Sequence, residues 1–160
     1  MKNKEFDALK LFFSVALVLM IGFAGSFFTS SSVDSWYQTI NKPSFNPPNW
    51  IFGPVWTILY ILIGISFYLV WNSNKTEKLK TKTYLIFSIQ LFLNFLWSVL
   101  FFGKNLIGIA FIEIVLLWLA ILFNIIYAYK ISKPAGLLLI PYILWVSFAT
   151  LLNFTIMMLN

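Results

Sequence analysis

The chain has 160 residues, of which 61% are hydrophobic and only 10% are charged. A water-soluble domain carries about 25% charged residues, so this composition excludes a soluble fold and indicates an integral membrane protein. The chain has no Cys and no His. Their absence excludes disulfides, Cys-liganded zinc and the usual nucleophile–base pairs, and no metal or cofactor is expected. The basic residues are all lysines that flank apolar segments, so we expect no nucleic-acid interface.

Long apolar segments divide the chain into predicted membrane spans. A helix needs about 20 apolar residues to cross the hydrocarbon core of a bilayer. Unbroken apolar runs exclude a β-barrel, whose strands alternate over about ten residues. We therefore predict one domain, residues 1–160, that is an all-α bundle of five transmembrane helices. The predicted spans are about Ala8–Phe28, Ile51–Trp71, Tyr84–Phe102, Leu106–Tyr129 and Ala135–Leu159.

The lysines are divided unequally between the two ends of this predicted bundle. Nine lie in the N-terminal segment and in the second and fourth loops: Lys2, Lys4, Lys10, Lys75, Lys78, Lys80, Lys82, Lys130 and Lys133. The first and third loops hold only Lys42 and Lys104. The positive-inside rule then predicts a cytoplasmic N-terminus, with residues 30–50 outside, in a multi-pass protein of the cell membrane. The lysine-rich second loop can also contact anionic lipid headgroups, although a topology signal needs no such function.

The stretch Trp36–Tyr60 holds three of the seven Trp and four of the six Pro. Proline restricts the backbone, so we predict a stiff lid, about residues 30–50, over an apolar site. The alternative is a belt of interfacial aromatic residues. Pro47 is predicted as the first helical position of the second span, and Pro54 as a kink that turns Trp56 inwards. In the fifth span, Pro141 predicts a second break.

Polar and aromatic side chains share one face of the third predicted span. Four residues lie there at offsets of four, seven and eleven: Gln90, Asn94, Trp97 and Phe101. Carboxamides are costly inside hydrocarbon, and they either bond a neighbouring helix or face a cavity. The interhelical bond is favoured for Gln90. The cavity is favoured for Asn94, because Trp97 lies one turn away.

Two other spans carry aromatic stripes of the same kind. The second span contributes Trp56, Tyr60 and Phe67, and the fifth contributes Trp145, Phe148, Ala149 and Leu152. The small Ala149 side chain leaves a space on an otherwise bulky face. Three aromatic stripes with amides among them suit a flat, conjugated, largely apolar ligand. The alternative is that these rings only pack the core.

Glu113 is the only carboxylate inside a predicted span, on one helical face with Asn124. An acid inside a membrane is a candidate functional group. Because no second acid is available for a proton relay, we favour a structural role. We expect Glu113 to be neutral, or paired with a polar group on a neighbouring helix.

Several motifs from Trp36 to Asn153 together resemble the TspO/MBR family (tryptophan-rich sensory protein, translocator protein, peripheral-type benzodiazepine receptor). With x for any residue, they are Trp36-Tyr37, Lys42-Pro43, Pro47-Pro48-x-Trp50, Pro54-Val55-Trp56-Thr57-x-Leu59-Tyr60, Gln90-Leu91-x-Leu93-Asn94-x-x-Trp97-Ser98-x-x-Phe101-Phe102-Gly103 and Pro141-Tyr142-x-x-Trp145-x-x-Phe148-Ala149-x-x-Leu152-Asn153. They stand in the family's order and spacing over most of the chain. The lysine pattern and simple termini suggest a bacterial member.

The resemblance implies a ligand cavity beneath the first loop that binds porphyrins, such as protoporphyrin IX, and benzodiazepine- or isoquinoline-carboxamide-type molecules. The implied pocket residues are Trp56, Asn94, Trp97, Trp145, Ala149 and Leu152, with contributions from Tyr37, Pro47 and Tyr60, and the fifth-span stripe adds Phe148. Members that recognise cholesterol carry a Tyr and a basic residue near the end of the fifth helix. Residues 153–160 contain no Lys or Arg, so tight sterol binding is not expected.

Three functions compete at this point. The first is binding and sensing of a porphyrin or drug-like ligand. The second, proposed for the family, is light- and oxygen-dependent breakdown of protoporphyrin IX, in which Trp56 and Trp145 would be the catalytic residues. The third, an autonomous transporter, ranks last because five spans do not divide into equal repeats. The small residues Gly22, Gly25 and Ser26 in the first span allow close helix packing, and such faces make a homodimer plausible.

Overall fold

A computed structural model describes residues 5–160, and every regular element in that range is helical. The elements in chain order are α1 (Ala8–Val33), α2 (Trp36–Thr39), a 3₁₀ turn (Asn49–Ile51), α3 (Phe52–Trp71), α4 (Glu77–Ser98), a π turn (Val99–Gly103), α5 (Ile107–Ile131), α6 (Lys133–Leu137) and α7 (Ile140–Leu159). Five helical segments of these residues are long and apolar enough to cross a membrane, which confirms the predicted five-helix bundle.

Two helices are longer than the predicted spans, because polar residues next to the apolar run are also helical. The first helix continues to Val33 rather than ending near Phe28, and α4 begins at Glu77 rather than at Tyr84. Asp7 caps α1, because its carboxylate accepts the Lys10 backbone N–H at 3.0 Å. Apolar runs locate the part of a helix inside hydrocarbon, whereas caps and polar residues decide where the helix ends.

The prolines act differently from the prediction in α3. Pro47 precedes the helix and is not its first residue, because Pro48 is extended and the 3₁₀ turn follows it. Pro54 lies in the first turn of α3, where a missing backbone N–H costs no hydrogen bond. The predicted kink at Pro54 is therefore wrong, and α3 runs unbroken from Phe52 to Trp71.

The predicted break in the fifth span is present, but it precedes its proline. The helix stops at Leu137 and starts again at Ile140, which places Pro141 in the first turn of α7. Pro141 therefore starts the second segment and does not interrupt it. Ser132 is the N-cap of α6, and Pro134 lies in its first turn.

Antiparallel neighbours pack along most of their length: α1 against α3, α4 against α5, and α5 against α7. The Lys10 ammonium lies 6.0 Å from the centre of the Trp71 ring, so the start of α1 and the end of α3 share one end of the bundle. We call this the lysine-rich end. Lys2 and Lys4 lie outside the described residues. Which side of the membrane this end faces stays a prediction.

Gly64 allows α1 and α3 to approach closely. A Cβ atom on Gly64 would lie 2.7 Å from the Val15 Cα and 3.2 Å from the Ser14 carbonyl oxygen. We expect Gly64→Ala to destabilise the protein by about 1–3 kcal/mol, because backbone atoms must separate. The better helix propensity of alanine, about 1 kcal/mol, offsets only part of this cost.

Unfolding in SDS titrations measures this effect. Gly108→Ala is the matched control, because the nearest atom to its added Cβ, the Met157 sulfur, is 3.8 Å away. Equal stability of the two variants would show that the α1–α3 contact is looser than the structure indicates.

Candidate ligand-binding site

A cavity of about 430 Å³ lies in the half of the bundle opposite the lysine-rich end, within the size range of sites for drug-sized ligands. Its walls come from α1, α3, α7 and the end of α4, together with Tyr37 of the first loop. Eight of the ten residues predicted for the site line it: Tyr37, Trp56, Tyr60, Trp97, Trp145, Phe148, Ala149 and Leu152. The predicted residues Pro47 and Asn94 do not line it.

Each indole in the wall is held by an aromatic neighbour. Trp56 stacks on Tyr60, with ring centres 5.4 Å apart and an interplanar angle of 26°. Trp97 stacks on Phe101 at 5.1 Å and 19°. Trp145 packs at a tilt against Phe148 at 5.5 Å. These contacts fix the rings before any ligand arrives, which reduces the entropy lost on binding.

Asn94 joins three helices next to the cavity. The Tyr60 hydroxyl donates to the Asn94 side-chain oxygen at 2.7 Å, and the Asn94 amide donates to the Tyr142 hydroxyl at 3.1 Å. Asn94 therefore links α3 to α7 from its place on α4. Its role in the site is to hold Tyr60, which itself lines the cavity.

Two indole donors remain for a ligand. The Trp97 N–H donates to the Asn153 side-chain oxygen at 3.1 Å and is therefore occupied. The indole N–H groups of Trp56 and Trp145 have no hydrogen-bond partner within residues 5–160, and both side chains line the cavity. A carbonyl or carboxylate on a bound molecule could accept from them.

The first loop covers one end of the cavity. Tyr37 is 1% exposed and packs against Phe102 at 5.6 Å. Its hydroxyl donates to the Asn46 side-chain oxygen at 2.6 Å. Burial raises the pKa of Tyr37 to about 12, so the phenol stays a neutral donor near pH 7. Phe45 packs against Phe148 at 6.3 Å, which joins the loop to the cavity wall.

The loop thus has the position that the lid prediction requires, although its Pro47 does not line the cavity. Trp50 is 73% exposed, as the alternative of an interfacial belt predicts for that residue. Trp36 instead packs on Phe101 at 5.6 Å. The stretch Trp36–Tyr60 therefore matches both predictions. Trp36 packs within the loop over the cavity, whereas Trp50 is exposed like a residue of an interfacial belt.

Residues 14–159 match the model of the TspO/MBR family. The chain belongs to the TspO/MBR family. It is 50% identical over 96% of its length to the tryptophan-rich protein TspO of Archaeoglobus fulgidus, of which 99% is covered. It is 45% identical over 99% of its length to the tryptophan-rich protein TspO of Chlorobaculum tepidum, again with 99% covered. The human translocator protein is 38% identical over 84% of this chain and 80% of its own.

Similarity to the two prokaryotic TspO proteins exceeds similarity to the human relative, which supports a prokaryotic TspO/MBR member. That the source is a bacterium stays a prediction. The TspO/MBR assignment covers nearly the whole chain, including the loop and all three aromatic stripes.

Sequence reasoning missed the contribution of the first helix to this TspO/MBR cavity. Residues of α1 that line it are Leu19, Gly22, Phe23, Ser26 and Thr29. Gly22, Ser26 and Thr29 lie at offsets of four and seven, so they share a face of small side chains. The small residues Gly22, Gly25 and Ser26 of this face were interpreted from the sequence as a packing surface for a neighbouring helix. It serves that purpose at Gly22, and near Ser26 it leaves space for the cavity.

Some predicted residues lie elsewhere in the TspO/MBR bundle. Phe67 packs on Phe87 at 5.3 Å, away from the cavity. The predicted interhelical bond of Gln90 is absent, because its buried amide has no partner within residues 5–160. The same holds for both carboxyl oxygens of Glu113, so the predicted polar partner is not found among those residues. Asn124 on the same helix is likewise unpartnered there.

A clasp ties the first loop to the end of α7. The Asn41 backbone N–H donates to the Asn160 side-chain oxygen at 2.9 Å, and the Asn160 amide donates to the Asn41 carbonyl at 3.0 Å. The Asn41 amide also donates to the Leu159 carbonyl at 3.1 Å. Three hydrogen bonds thus hold the loop at a point beyond its aromatic contacts.

We expect Asn160→Ala to loosen the loop, because the substitution removes two of these three hydrogen bonds. Two exposed hydrogen bonds together stabilise the closed loop by about 1 kcal/mol. Amide hydrogen exchange in residues 36–46 should therefore be roughly five-fold faster in the variant. Thr155→Ala is the control, since its hydroxyl bonds only the Leu151 carbonyl of its own helix. Unchanged exchange in Asn160→Ala would show that the aromatic contacts alone hold the loop.

Proposed function

We propose that this TspO/MBR protein binds and senses porphyrins such as protoporphyrin IX, and that the same cavity accepts benzodiazepine- and isoquinoline-carboxamide-type molecules. The observation that carries the proposal is the meeting of Trp56, Trp97 and Trp145, from three different helices, around one cavity of about 430 Å³. The unequal lysine distribution supports a cell-membrane location with the loop outside.

The chemistry of the cavity walls fits such ligands. A flat conjugated ring gains contact area against indole and phenyl faces, which lose little freedom on binding. The free N–H groups of Trp56 and Trp145 can bond a carboxylate or an amide carbonyl and so orient the ring. The chain contains no His or Cys to act as an axial ligand, so we expect a metal-free tetrapyrrole to bind at least as well as its iron complex.

Tryptophan fluorescence in nanodiscs tests the proposal. Titration with protoporphyrin IX should give saturable quenching, because three of the seven Trp line the cavity. The stoichiometry should be one porphyrin per chain. An isoquinoline carboxamide should compete and restore the emission. If quenching is absent, or is linear and insensitive to the competitor, porphyrin does not bind in this cavity.

A second function at the same cavity is light- and oxygen-dependent porphyrin breakdown. The observation that favours it is the stacked pair of Trp56 and Tyr60, since two oxidisable rings 5.4 Å apart line the cavity. In this reaction the excited porphyrin is oxidised by molecular oxygen, and Trp56 and Trp145 act as redox partners or confine the excited ring. The substitutions Trp56→Phe and Trp145→Phe should then abolish product formation while binding stays measurable. An unchanged product spectrum would exclude those tryptophans from the mechanism.

A further inference from the structure

A second concave surface lies at the lysine-rich end of the bundle. It is a groove of about 430 Å³ where α1, α3 and α4 meet, and it shares no lining residue with the aromatic cavity. The groove is lined by Phe13, Ser14, Ala16, Leu17, Met20, Phe67, Trp71 and Tyr84. Phe13, Leu17 and Met20 are 58%, 44% and 63% exposed, so the groove opens to the side of the bundle that faces the bilayer.

Lysines lie beside the two polar aromatic residues of the groove. The Lys10 ammonium is 6.0 Å from the Trp71 ring centre, and Lys80 precedes Tyr84 by one helical turn. Salt bridges to Asp7 at 2.8 Å and to Glu77 at 2.5 Å hold these lysines in place. Around them, the segment 75–84 carries four lysines and one glutamate, a net charge of +3. Both lysines are therefore already ion-paired, and the positive field beside the groove comes from the excess charge of segment 75–84.

Ser14 adds a polar group at a defined depth. Its side chain is 1% exposed, its hydroxyl has no partner within residues 5–160, and it lines the groove. Ser14 follows Lys10 by four residues, which places it about 6 Å further along the helix axis. Beyond it along α1 the lining is apolar, with Leu17 and Met20. The order along the groove is therefore cation, hydroxyl donor and apolar surface.

We propose that this groove binds one anionic phospholipid. The phosphate lies beside the Lys10–Asp7 and Lys80–Glu77 pairs, in the positive field of segment 75–84. An ester carbonyl accepts a hydrogen bond from the Ser14 hydroxyl, and an acyl chain lies against Leu17 and Met20. A free phosphate would satisfy only the lysines and leave the apolar part of the groove exposed, so the observations favour a lipid. The site is independent of the aromatic cavity and of its ligand.

Native mass spectrometry of the purified protein tests this proposal, with phosphatidylglycerol and phosphatidylcholine of identical acyl chains. We expect one phosphatidylglycerol to be retained in preference to phosphatidylcholine. Lys10→Gln and Lys80→Gln should each weaken that preference about five-fold, the effect of one cation at an anionic membrane surface. Lys130→Gln is the control, since Lys130 lies over Tyr127 on α5 and away from the groove.

Filling the groove provides a second, charge-independent test. Ala16→Trp should displace both lipids, whereas Ala24→Trp, at an exposed position of α1 outside the groove, should not. Porphyrin binding should survive in both, which distinguishes loss of the lipid site from loss of the fold. Equal retention of the two lipids by the unmodified protein, or a lipid preference unchanged in the lysine variants, would overturn the proposal.

Discussion

Ala149→Trp is expected to weaken protoporphyrin IX binding by at least about 100-fold, the equivalent of about 2.7 kcal/mol. Ala149 is the smallest side chain on the α7 wall, and it faces the cavity between Trp145 and Leu152. An added indole would occupy much of a cavity of about 430 Å³, and the packed helices around it leave a flat macrocycle no alternative space. The shift of the porphyrin absorbance band on binding measures the affinity without interference from the new tryptophan.

Leu151→Trp is the matched control for this substitution. Leu151 lies two residues further along α7 and is 55% exposed on the lipid-facing side. The same indole added there should leave affinity unchanged. The Ala149→Trp protein should remain folded, because the new ring enters existing space rather than a packed core. Porphyrin binding of normal strength in Ala149→Trp would mean that the ligand lies outside the cavity.

Gly22→Ala is expected to weaken binding about ten-fold through a contact between two residues of the cavity wall, Gly22 and Tyr60. A Cβ atom on Gly22 would overlap the ring of Tyr60, so the phenol ring must move. A displaced ring loses its 2.7 Å hydrogen bond to Asn94 and enters the cavity or separates α1 from α3. Gly25→Ala on the same helix is the control, because its nearest neighbour, the Ser98 hydroxyl, is 3.4 Å away.

A double-mutant cycle assigns the effect of Gly22→Ala to Tyr60. In a Tyr60→Ala background the added methyl group meets no ring, so Gly22→Ala should then cost little further affinity. Additive losses in the double variant would instead indicate a general disturbance of helix packing. Equal affinities of Gly22→Ala and Gly25→Ala would show that the position of Tyr60 does not control the site.

The sequence was sufficient to predict the fold and most of the cavity wall. Long apolar runs predict membrane helices, because a segment that crosses hydrocarbon needs apolar side chains and internally bonded backbone. Residues at offsets of three, four and seven share a helical face. Trp145, Phe148 and Ala149 were placed together on these grounds, and all three line the cavity. When all the residues lie on one helix, their spacing in the sequence alone shows that they share a face, and the arrangement of the helices need not be known.

Contacts between helices were harder to predict, because they depend on which faces meet. Gly22 and Ser26 have small side chains that favour either helix packing or an open space, and only the crossing of α1 and α3 decides between them. Pro54 was misinterpreted for a related reason, since its effect depends on whether the helix begins at Phe52, two residues before it, or at Pro47, seven residues before it, as predicted. The lack of a partner for the Gln90 amide could not be predicted either, because it depends on which side chains the neighbouring helices place beside it.

A crystal structure of the protein with protoporphyrin IX, grown from a lipidic phase, most directly tests whether the indoles of three helices form one binding site. The macrocycle should lie in contact with Trp56, Trp97 and Trp145 beneath Tyr37, with a propionate or pyrrole edge near the Trp56 and Trp145 N–H groups. Density for the porphyrin on the lipid-facing surface, with the aromatic cavity unchanged and unoccupied, would contradict this function for the tryptophans.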